Sequence, residues 1–312
     1  MADTFSKKLT IGTRGSPLAL WQAHWIKSQL ESLHGDLTVD LVKIKTSGDK
    51  IQDVPLAKIG GKGLFTKEIE ESMLRYETDI AVHSMKDVPV KFPPSLTLSV
   101  VTEREDPRDA LIARNGLKLD TLPKGARVGT GSFRRTTQLL NYRPDLEVVP
   151  MRGNVQTRLD KLKSEGLDAI ILAAAGLIRL DMADHITEYI EPEIMLPGGG
   201  QGAVGIESRK EDLRVMNRIF PLDHEETHLA LEAERAFLTR LEGGCQVPIG
   251  VYATIEGETL HLRGLVGSLD GKQMLKAERK GSVEDPEAIG FELAGEILGM
   301  GADKILKEVY GT

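Results

Sequence analysis

The sequence is short of cysteine and of long apolar runs, and each shortage excludes a class of protein. Cys245 is the single cysteine in 312 residues, so no intrachain disulfide framework can form. The longest apolar run, residues 169–178, is too short to cross a bilayer, and residues 1–8 contain no apolar signal core. These features predict a cytoplasmic protein from a reducing compartment, with no membrane partner.

The signatures of metal-binding and nucleotide-binding proteins are also missing. The seven histidines show no metal-ligand spacing and one cysteine cannot build a thiolate cluster, so no metal is expected. Neither a Walker-type glycine loop nor a GxGxxG fingerprint stands at a strand-to-helix junction, which disfavours a nucleotide. A net charge of −7 argues against a nucleic-acid partner. Any anion site must therefore be a local concentration of positive charge.

The stretch around the lone cysteine has an unusual pattern. Apolar positions recur at helical spacing over residues 229–241, which predicts a helix. Gly243 and Gly244 are predicted to end this helix, and Pro248 prevents it from resuming. Cys245 then falls on a loop with little side-chain bulk beside it. The local sequence leaves two interpretations open: a small buried apolar residue, or a thiol presented for covalent chemistry.

Arginine recurs at predicted strand-to-helix turns. Residues 9–13 indicate a strand, and Ser16 followed by proline is typical of a helix start. Such a turn offers backbone N–H groups to an anion, and residues 128–135 and 147–158 repeat the pattern. Arginines at successive junctions fall on one edge of a parallel sheet and can clamp carboxylates, although scattered arginines usually form only a solvated face. The six candidates are Arg14, Arg134, Arg135, Arg152, Arg158 and Arg179.

Two further stretches carry candidate residues. Residues 80–84 indicate a strand that runs into Lys86 and Asp87, and strand ends are where α/β proteins place chemistry. The alternative is a surface ion pair. Residues 46–63 are rich in glycine and lysine and lack a clear period, which is typical of a lid or a disordered loop.

The organisation of the chain is predicted from two hinge-like stretches, residues 102–109 and residues 197–202. The segment after the cysteine reads as a meander of three strands followed by two helices, hence as a small α+β domain. The strands are expected at 251–255, 259–266 and 272–279, and the helices at 286–300 and 302–309.

Five motifs together identify a family. They are Thr13-Arg14-Gly15-Ser16-Pro17-Leu18-Ala19-Leu20-Trp21-Gln22, His83-Ser84-Met85-Lys86-Asp87-Val88-Pro89, Arg152-Gly153-Asn154-Val155-Gln156-Thr157-Arg158-Leu159, residues 197–205, and residues 241–250 around Cys245. As a set they resemble the porphobilinogen deaminases, also called hydroxymethylbilane synthases, over nearly the whole chain. One departure is Gly131 and Phe133, where the family more often has serine and leucine.

The resemblance implies a transferase that joins four porphobilinogen molecules head to tail with loss of ammonia. Its product would be the linear tetrapyrrole hydroxymethylbilane (preuroporphyrinogen), used in tetrapyrrole and haem biosynthesis. It also implies a dipyrromethane cofactor attached through a thioether to Cys245. Every pyrrole ring carries an acetate and a propionate, which would give the arginines a polyanionic partner. Asp87 and Lys86 are the implied catalytic residues, and the carboxylate would stabilise the azafulvene-like cation left when ammonia departs.

The resemblance also implies two sets of binding residues. The cofactor set is Cys245, Ser84, Lys86, Asp87, Thr130, Ser132, Arg134, Arg135, Arg152 and Gly176. The substrate set is Arg14, Ser16, Gln22, Arg152, Arg158, Arg179, Lys58 and Lys62, of which Lys58 and Lys62 lie on the segment that could close over the cleft.

The implied fold is α/β, with two domains resembling periplasmic binding proteins around a cleft and a small α+β C-terminal domain. Domain 1 would comprise residues 1–102 plus about 203–220, domain 2 residues 103–202 and domain 3 residues 221–312, in a monomeric protein. Two other classes stay open on the residues alone. One is an anion-binding module without chemistry, and the other is a cysteine-nucleophile hydrolase or transferase with His83 as its base.

Overall fold

The computed structural model describes residues 7–50, 63–243 and 247–310. The chain divides into two compact units, Met1–Arg104 with Ala203–His228, and Glu105–Gly202 with Leu229–Thr312. Each unit is built from two separate pieces of chain, and the division into three domains stays a prediction. Within the described residues, no helix is long and apolar enough to span a membrane.

The first unit contains a mixed five-stranded sheet. Its strands are β1 (Lys8–Thr13), β2 (Thr38–Lys43), β3 (Ile80–Ser84), β4 (Leu96–Val101) and β10 (Val204–Arg209). Its helices are α1 (Pro17–Leu33), α2 (Ser47–Lys50), α3 (Lys67–Leu74) and α7 (Leu213–Ile219). The strand order is β2-β1-β3-β10-β4, with β1 parallel to β2 and β3, and with β10 antiparallel to β3 and β4.

The turn between β1 and α1 follows from local sequence. The side chain of Ser16 accepts a hydrogen bond from the N–H of Ala19 at 3.4 Å, and Pro17 occupies the first helical position, where its missing N–H costs nothing. The helix buries Ile26 and Leu30 in the same apolar cluster as the strand residues around them. The cap and this apolar face together fix the start of α1 at the carboxyl end of β1.

The second unit contains another mixed five-stranded sheet. Its strands are β5 (Asp109–Ala113), β6 (Arg127–Thr130), β7 (Glu147–Pro150), β8 (Ala169–Ala173) and β9 (Glu188–Ile190). Its helices are α4 (Phe133–Tyr142), α5 (Val155–Ser164) and α6 (Ala174–Arg179). The strand order is β7-β6-β8-β5-β9, with β6 parallel to β7 and β8, and with β5 antiparallel to β8 and β9.

The two sheets share one arrangement, in which an antiparallel strand stands fourth. Because β5 and β10 run against their neighbours, their first residues lie at the edge where the parallel strands end: Asp109 is paired with Ala173, and Val204 with Ser84. Both sheets are therefore mixed, whereas the interpretation of the arginine pattern assumes a parallel sheet. The parallel strands of each sheet nevertheless end at one edge, as that interpretation requires.

The C-terminal region has the meander and helices that the sequence predicts. It comprises β11 (Ile249–Glu256), β12 (Thr259–Gly267), β13 (Met274–Ser282), α8 (Glu225–Arg240), α9 (Pro286–Gly299) and α10 (Ala302–Tyr310). The strands form one antiparallel sheet in chain order. Its core is centred on the fully buried Phe237, and a Cβ at Gly264 would stand 2.6 Å from the Phe237 ring. Glycine at this position lets helix α8 pack closely on the sheet.

The helix before the cysteine ends differently from the prediction. The left-handed residue is Glu242, with φ of +53°, and not Gly243. Gly243 N–H donates to Leu238 O at 2.8 Å and Glu242 N–H donates to Thr239 O at 3.2 Å, which is the hydrogen-bond pattern of a Schellman motif. The prediction assigned the end of the helix to Gly243, one position after the residue that takes the left-handed conformation. The Schellman motif requires that conformation at a fixed position after the last turn, and here Glu242 occupies that position.

Candidate functional site

The carboxyl end of β3 brings several predicted site residues together. The buried Gln22 of α1 faces Ser84, with Nε2 at 2.9 Å and Oε1 at 3.2 Å from Ser84 Oγ. Lys86 and Asp87 follow on a single 3₁₀ turn and are half-buried. Met85 N–H donates to the carbonyl of Ala203 at 3.0 Å, which fastens this turn to the segment that leads into β10. An ammonium and a carboxylate therefore lie on an anchored turn at the end of the strand.

The residue that precedes Ser84 on β3, His83, has its side chain in a different environment. His83 points to the opposite face of the sheet from Ser84, since side chains alternate along a strand. Its Nε2 lies 3.1 Å from Glu207 Oε2, and both side chains are buried. The imidazole is thus engaged with a buried carboxylate on the face away from the strand-end hydroxyl.

Arg14 lies on the turn between β1 and α1, as predicted, and has a partner that sequence reasoning missed. Its Nη2 lies 2.5 Å from Asp49 Oδ1, and its guanidinium stacks 4.1 Å from the centre of the Phe65 ring. Burial would raise the pKa of Asp49, but hydrogen bonds from Arg14 and Thr46 hold it below its ordinary value. The carboxylate is therefore charged and fixes the direction of the guanidinium.

Arg134 and Arg135, in the first turn of α4, converge on a single buried carboxylate. Arg134 Nη1 lies 2.7 Å from Asp109 Oδ2, and Arg135 Nη2 lies 2.8 Å from Asp109 Oδ1. Arg134 Nη1 also donates to the carbonyl of Leu196 at 2.7 Å, and Arg135 Nη1 donates to that of Ile171 at 2.9 Å. Both arginines are thus part of the folded interior, and their contact with a cofactor stays a prediction.

The hydroxyl residues before these arginines line the end of β6. Thr130 is buried, and its Oγ1 accepts the N–H of Ser132 at 3.3 Å. A Cβ at Gly131 would stand 2.3 Å from the carbonyl oxygen of Met151, which is closer than real contacts allow. Glycine at this position therefore accompanies a close backbone approach between the ends of β6 and β7.

Arg152 and Arg158 flank the start of α5. Arg152 is half-buried just after β7, and Asn154 caps the helix by accepting the N–H of Thr157 at 2.9 Å. Arg158 Nε donates to the carbonyl of Gly153 at 2.9 Å. The backbone of this turn thus accepts a hydrogen bond from Arg158, and Arg152 is the neighbouring residue in the chain.

Arg179 and Gly176 belong to the short helix α6, which follows β8. Arg179 is the last residue of this helix and does not lie at a strand-to-helix turn, where the sequence pattern predicts it. Both residues are buried, and Arg179 Nη2 donates to the carbonyl of Gly202 at 2.7 Å. Burial lowers the pKa of Arg179 from its ordinary value, and the charge of Glu105 opposes that effect. Arg179 therefore fastens the end of the glycine-rich stretch 197–202 and is less accessible than the sequence suggests.

Three predicted residues, Cys245, Lys58 and Lys62, lie outside the described residues. Sequence reasoning missed two residues of these sites, Asp49 and Asp109, which pair with the arginines. Neither has a motif of its own, and each acquires its arginine partner only through folding. Among the residues that the structure describes, no group of three His, Cys, Asp or Glu side chains could hold a metal ion.

Each sheet therefore carries cations and hydroxyls at the edge where its parallel strands end, an arrangement typical of α/β proteins that bind small anionic molecules. The chain matches the family model for porphobilinogen deaminase, dipyromethane cofactor binding domain, over residues 9–217, and the model for porphobilinogen deaminase, C-terminal domain, over residues 228–299. It belongs to the porphobilinogen deaminase family.

Relatives with this name are similar over nearly the full length. The porphobilinogen deaminase of Geobacter sp. (strain M21) is 58% identical over 304 residues, which cover 97% of this chain and 95% of the relative. That of Geobacter metallireducens is 56% identical with the same coverage. Among solved structures, the methionine binding protein MetQ aligns with a TM-score of 0.42 and 12% identity over 69% of this chain and 89% of its own. That alignment is too weak to add to the topology described above.

Proposed function

We propose that this chain is a hydroxymethylbilane synthase. It joins four porphobilinogen molecules head to tail, releases one ammonia for each unit added, and frees the linear tetrapyrrole by hydrolysis. The observation that carries the proposal is the match to both family models, together with relatives at 58% identity over 97% of the chain. This membership favours a transferase over a passive anion-binding module or a cysteine-nucleophile hydrolase. We further propose that the protein acts as a cytoplasmic monomer.

The donor chemistry at the strand ends fits a dipyrromethane. Such a group carries carboxylates, which arginine and lysine bind through charge-assisted hydrogen bonds. It also carries pyrrole N–H groups, which can donate hydrogen bonds to a carboxylate. The described candidates are Ser84, Lys86, Asp87, Thr130, Ser132, Arg134, Arg135, Arg152 and Gly176. When bound, the cofactor supplies the pyrrole end onto which substrate units are added. Cys245 would hold it through a thioether, a proposal supported by the lone cysteine and the family motif around it.

The residues of the chain have separable tasks in this reaction. The carbon–nitrogen bond of the aminomethyl group breaks, a carbon–carbon bond to a pyrrole forms, and the attacked ring carbon then loses its proton. Asp87 can hold the proton that the leaving amine takes up and can accept the proton from the ring carbon. Its charge also stabilises the cation left on the substrate between those two events. Lys86, on the same anchored turn, binds a substrate or cofactor carboxylate.

The substrate's acetate and propionate require a second set of cations. We propose that Arg14, on the turn between β1 and α1, and Arg152 and Arg158, around the start of α5, supply them. Ser16 and Gln22 are proposed to join them in binding substrate. Lys58 and Lys62 are proposed to add charge from the glycine-rich segment, and Arg179 from the end of α6. Binding by these groups would hold the carboxylates while the chemistry occurs at the aminomethyl carbon.

The intact mass of the native protein tests the proposal. We expect a mass above that of the sequence by two linked pyrrole units, a thiol that resists alkylation, and colour with acidic Ehrlich's reagent. Cys245→Ser is expected to fold, to lack the added mass and to lose nearly all activity. An unmodified mass with a freely alkylated Cys245, or native turnover by Cys245→Ser, would remove the covalent anchor from the mechanism.

A further inference from the structure

Asp109 is a buried carboxylate at the sheet edge that carries the arginines of the second unit. It is the first residue of β5, and the antiparallel pairing with β8 places it at the end where the parallel strands finish. It accepts hydrogen bonds from both arginines of α4, with Arg135 Nε at 2.9 Å from Oδ1, and from Gln201 Nε2 at 3.0 Å. Its exposed fraction is 0%. No sequence motif marks it.

The charges of this cluster do not balance. One carboxylate faces two guanidinium groups, so the buried cluster has one positive charge in excess. Burial would raise the pKa of Asp109, but the charges of Arg134 and Arg135 hold it well below its ordinary value, so the carboxylate is ionised. A buried cation that lacks a full counter-charge is costly, and such an excess favours the binding of an additional anion.

The geometry also restrains the arginines. Each guanidinium contacts Asp109 on one side and a backbone carbonyl on another, that of Leu196 for Arg134 and that of Ile171 for Arg135. A guanidinium held on two sides loses little rotamer freedom when it binds a carboxylate, since most of that freedom is already lost.

We propose that Asp109 is a positioning residue that holds Arg134 and Arg135 as a preassembled cationic pair for a carboxylate of the dipyrromethane; this inference rests on the proposed function. Asp109 acts through the two arginines and touches neither substrate nor cofactor. The competing role is purely structural, in which Asp109 only neutralises buried arginines and supports the fold. The two roles differ in whether loss of the carboxylate changes cofactor uptake beyond its effect on stability.

The test compares three full-length apoproteins, produced without porphobilinogen, with wild-type apoprotein. Asp109→Asn keeps the size but removes the charge, and Asp109→Glu keeps the charge but shifts it by one methylene. Asp79→Asn is the matched control, because Asp79 also faces two arginines, with Oδ1 at 3.3 Å from Arg209 Nη2 and at 2.8 Å from Arg214 Nη2. Asp79 precedes β3 and so lies at the edge of its sheet away from Ser84. Covalent uptake is measured by intact mass after addition of porphobilinogen, per folded molecule, alongside melting temperature.

We expect Asp109→Asn to take up the pyrroles at least about tenfold more slowly than wild type, since misplacement of a binding group by about 1 Å costs up to about a hundredfold. Asp109→Glu should be intermediate, and Asp79→Asn should load at the wild-type rate even though its melting temperature falls. Wild-type uptake by Asp109→Asn, or equal losses in Asp109→Asn and Asp79→Asn at matched melting temperature, would overturn the inference. If Asp109→Asn does not fold, Asp109→Glu decides, and wild-type uptake by it refutes the geometric argument. Failure of wild-type protein to gain mass would instead refute the proposed function.

Discussion

Glu234 of α8 offers the sharpest quantitative prediction from the fold. Its side chain is fully buried, and its two oxygens accept hydrogen bonds from two separate segments of the chain. Oε2 accepts the N–H of Gly200 at 2.7 Å, in the glycine-rich stretch 197–202, and Oε1 accepts the N–H of Ala253 at 2.9 Å, on β11. One carboxylate thus joins that stretch and the C-terminal sheet to the helix that leads towards Cys245.

The magnitude follows from the two donors. Leaving one buried N–H without an acceptor costs about 1–3 kcal/mol. In Glu234→Gln the amide oxygen can still accept one N–H, while the NH₂ group faces the other, so the expected loss is about 1–3 kcal/mol. In Glu234→Ala both donors lose their acceptor, so the expected loss is about 2–6 kcal/mol. At about 2–4 °C per kcal/mol, Glu234→Gln should melt about 2–12 °C below wild type.

Scanning calorimetry and urea unfolding provide the measurement. Glu226→Gln, an exposed position in the first turn of the same helix, is the control and should change stability by no more than about 0.5 kcal/mol. The reasoning is refuted if Glu234→Gln is as stable as wild type, or if Glu234→Ala is no less stable than Glu234→Gln. Either result would mean that the two N–H groups find other acceptors without cost.

Two more predictions concern the strand ends. On protein preloaded with cofactor, Asp87→Asn should slow single turnover by at least about a hundredfold, because the charge acts mainly in the transition state. Asp87→Glu keeps the charge and should retain more activity. An Asn variant as fast as wild type per folded molecule would remove the catalytic role. Gly131→Ser should lower stability by about 1–3 kcal/mol, because its Cβ meets the carbonyl of Met151 at 2.3 Å. Gly15→Ser is the control, since a Cβ there meets nothing within 4 Å, and equal melting of the two variants would contradict the steric argument.

The local elements around the site could be predicted from the sequence because their signals are local. Ser16 and Pro17 mark the start of α1, and the strand that precedes Lys86 and Asp87 was predicted with its observed bounds, Ile80–Ser84. Caps, breaks and apolar periods each depend on a few neighbouring residues. The roles assigned to individual residues are a different matter: they came from the family motifs and stay predictions.

The strands that the sequence did not reveal are those with non-local pairing. β4, β5, β9 and β10 were not identified, and the first residue of β5, Asp109, was included in the predicted crossing 102–109. β5 is a short, fully buried run, which periodicity alone does not assign to a strand. β10 pairs with β3 and β4, which lie more than a hundred residues earlier in the chain, as the His83–Glu207 contact across 124 positions shows. No short stretch of sequence contains both β10 and the strands with which it pairs, so a local pattern cannot reveal the pairing.

The sequence by itself determined the family, several strand-to-helix turns and the presence of arginine at or next to three of them, those that begin α1, α4 and α5. Only the tertiary structure decided what those arginines contact: Asp49 for Arg14, and Asp109 for Arg134 and Arg135. The physical reason is that turn geometry is set by the torsional preferences of adjacent residues, whereas an ion pair requires two distant segments to meet. Asp109 reaches its arginines because β5 runs antiparallel to β8 and so begins where β6 and β8 end, a direction of travel that no local pattern records.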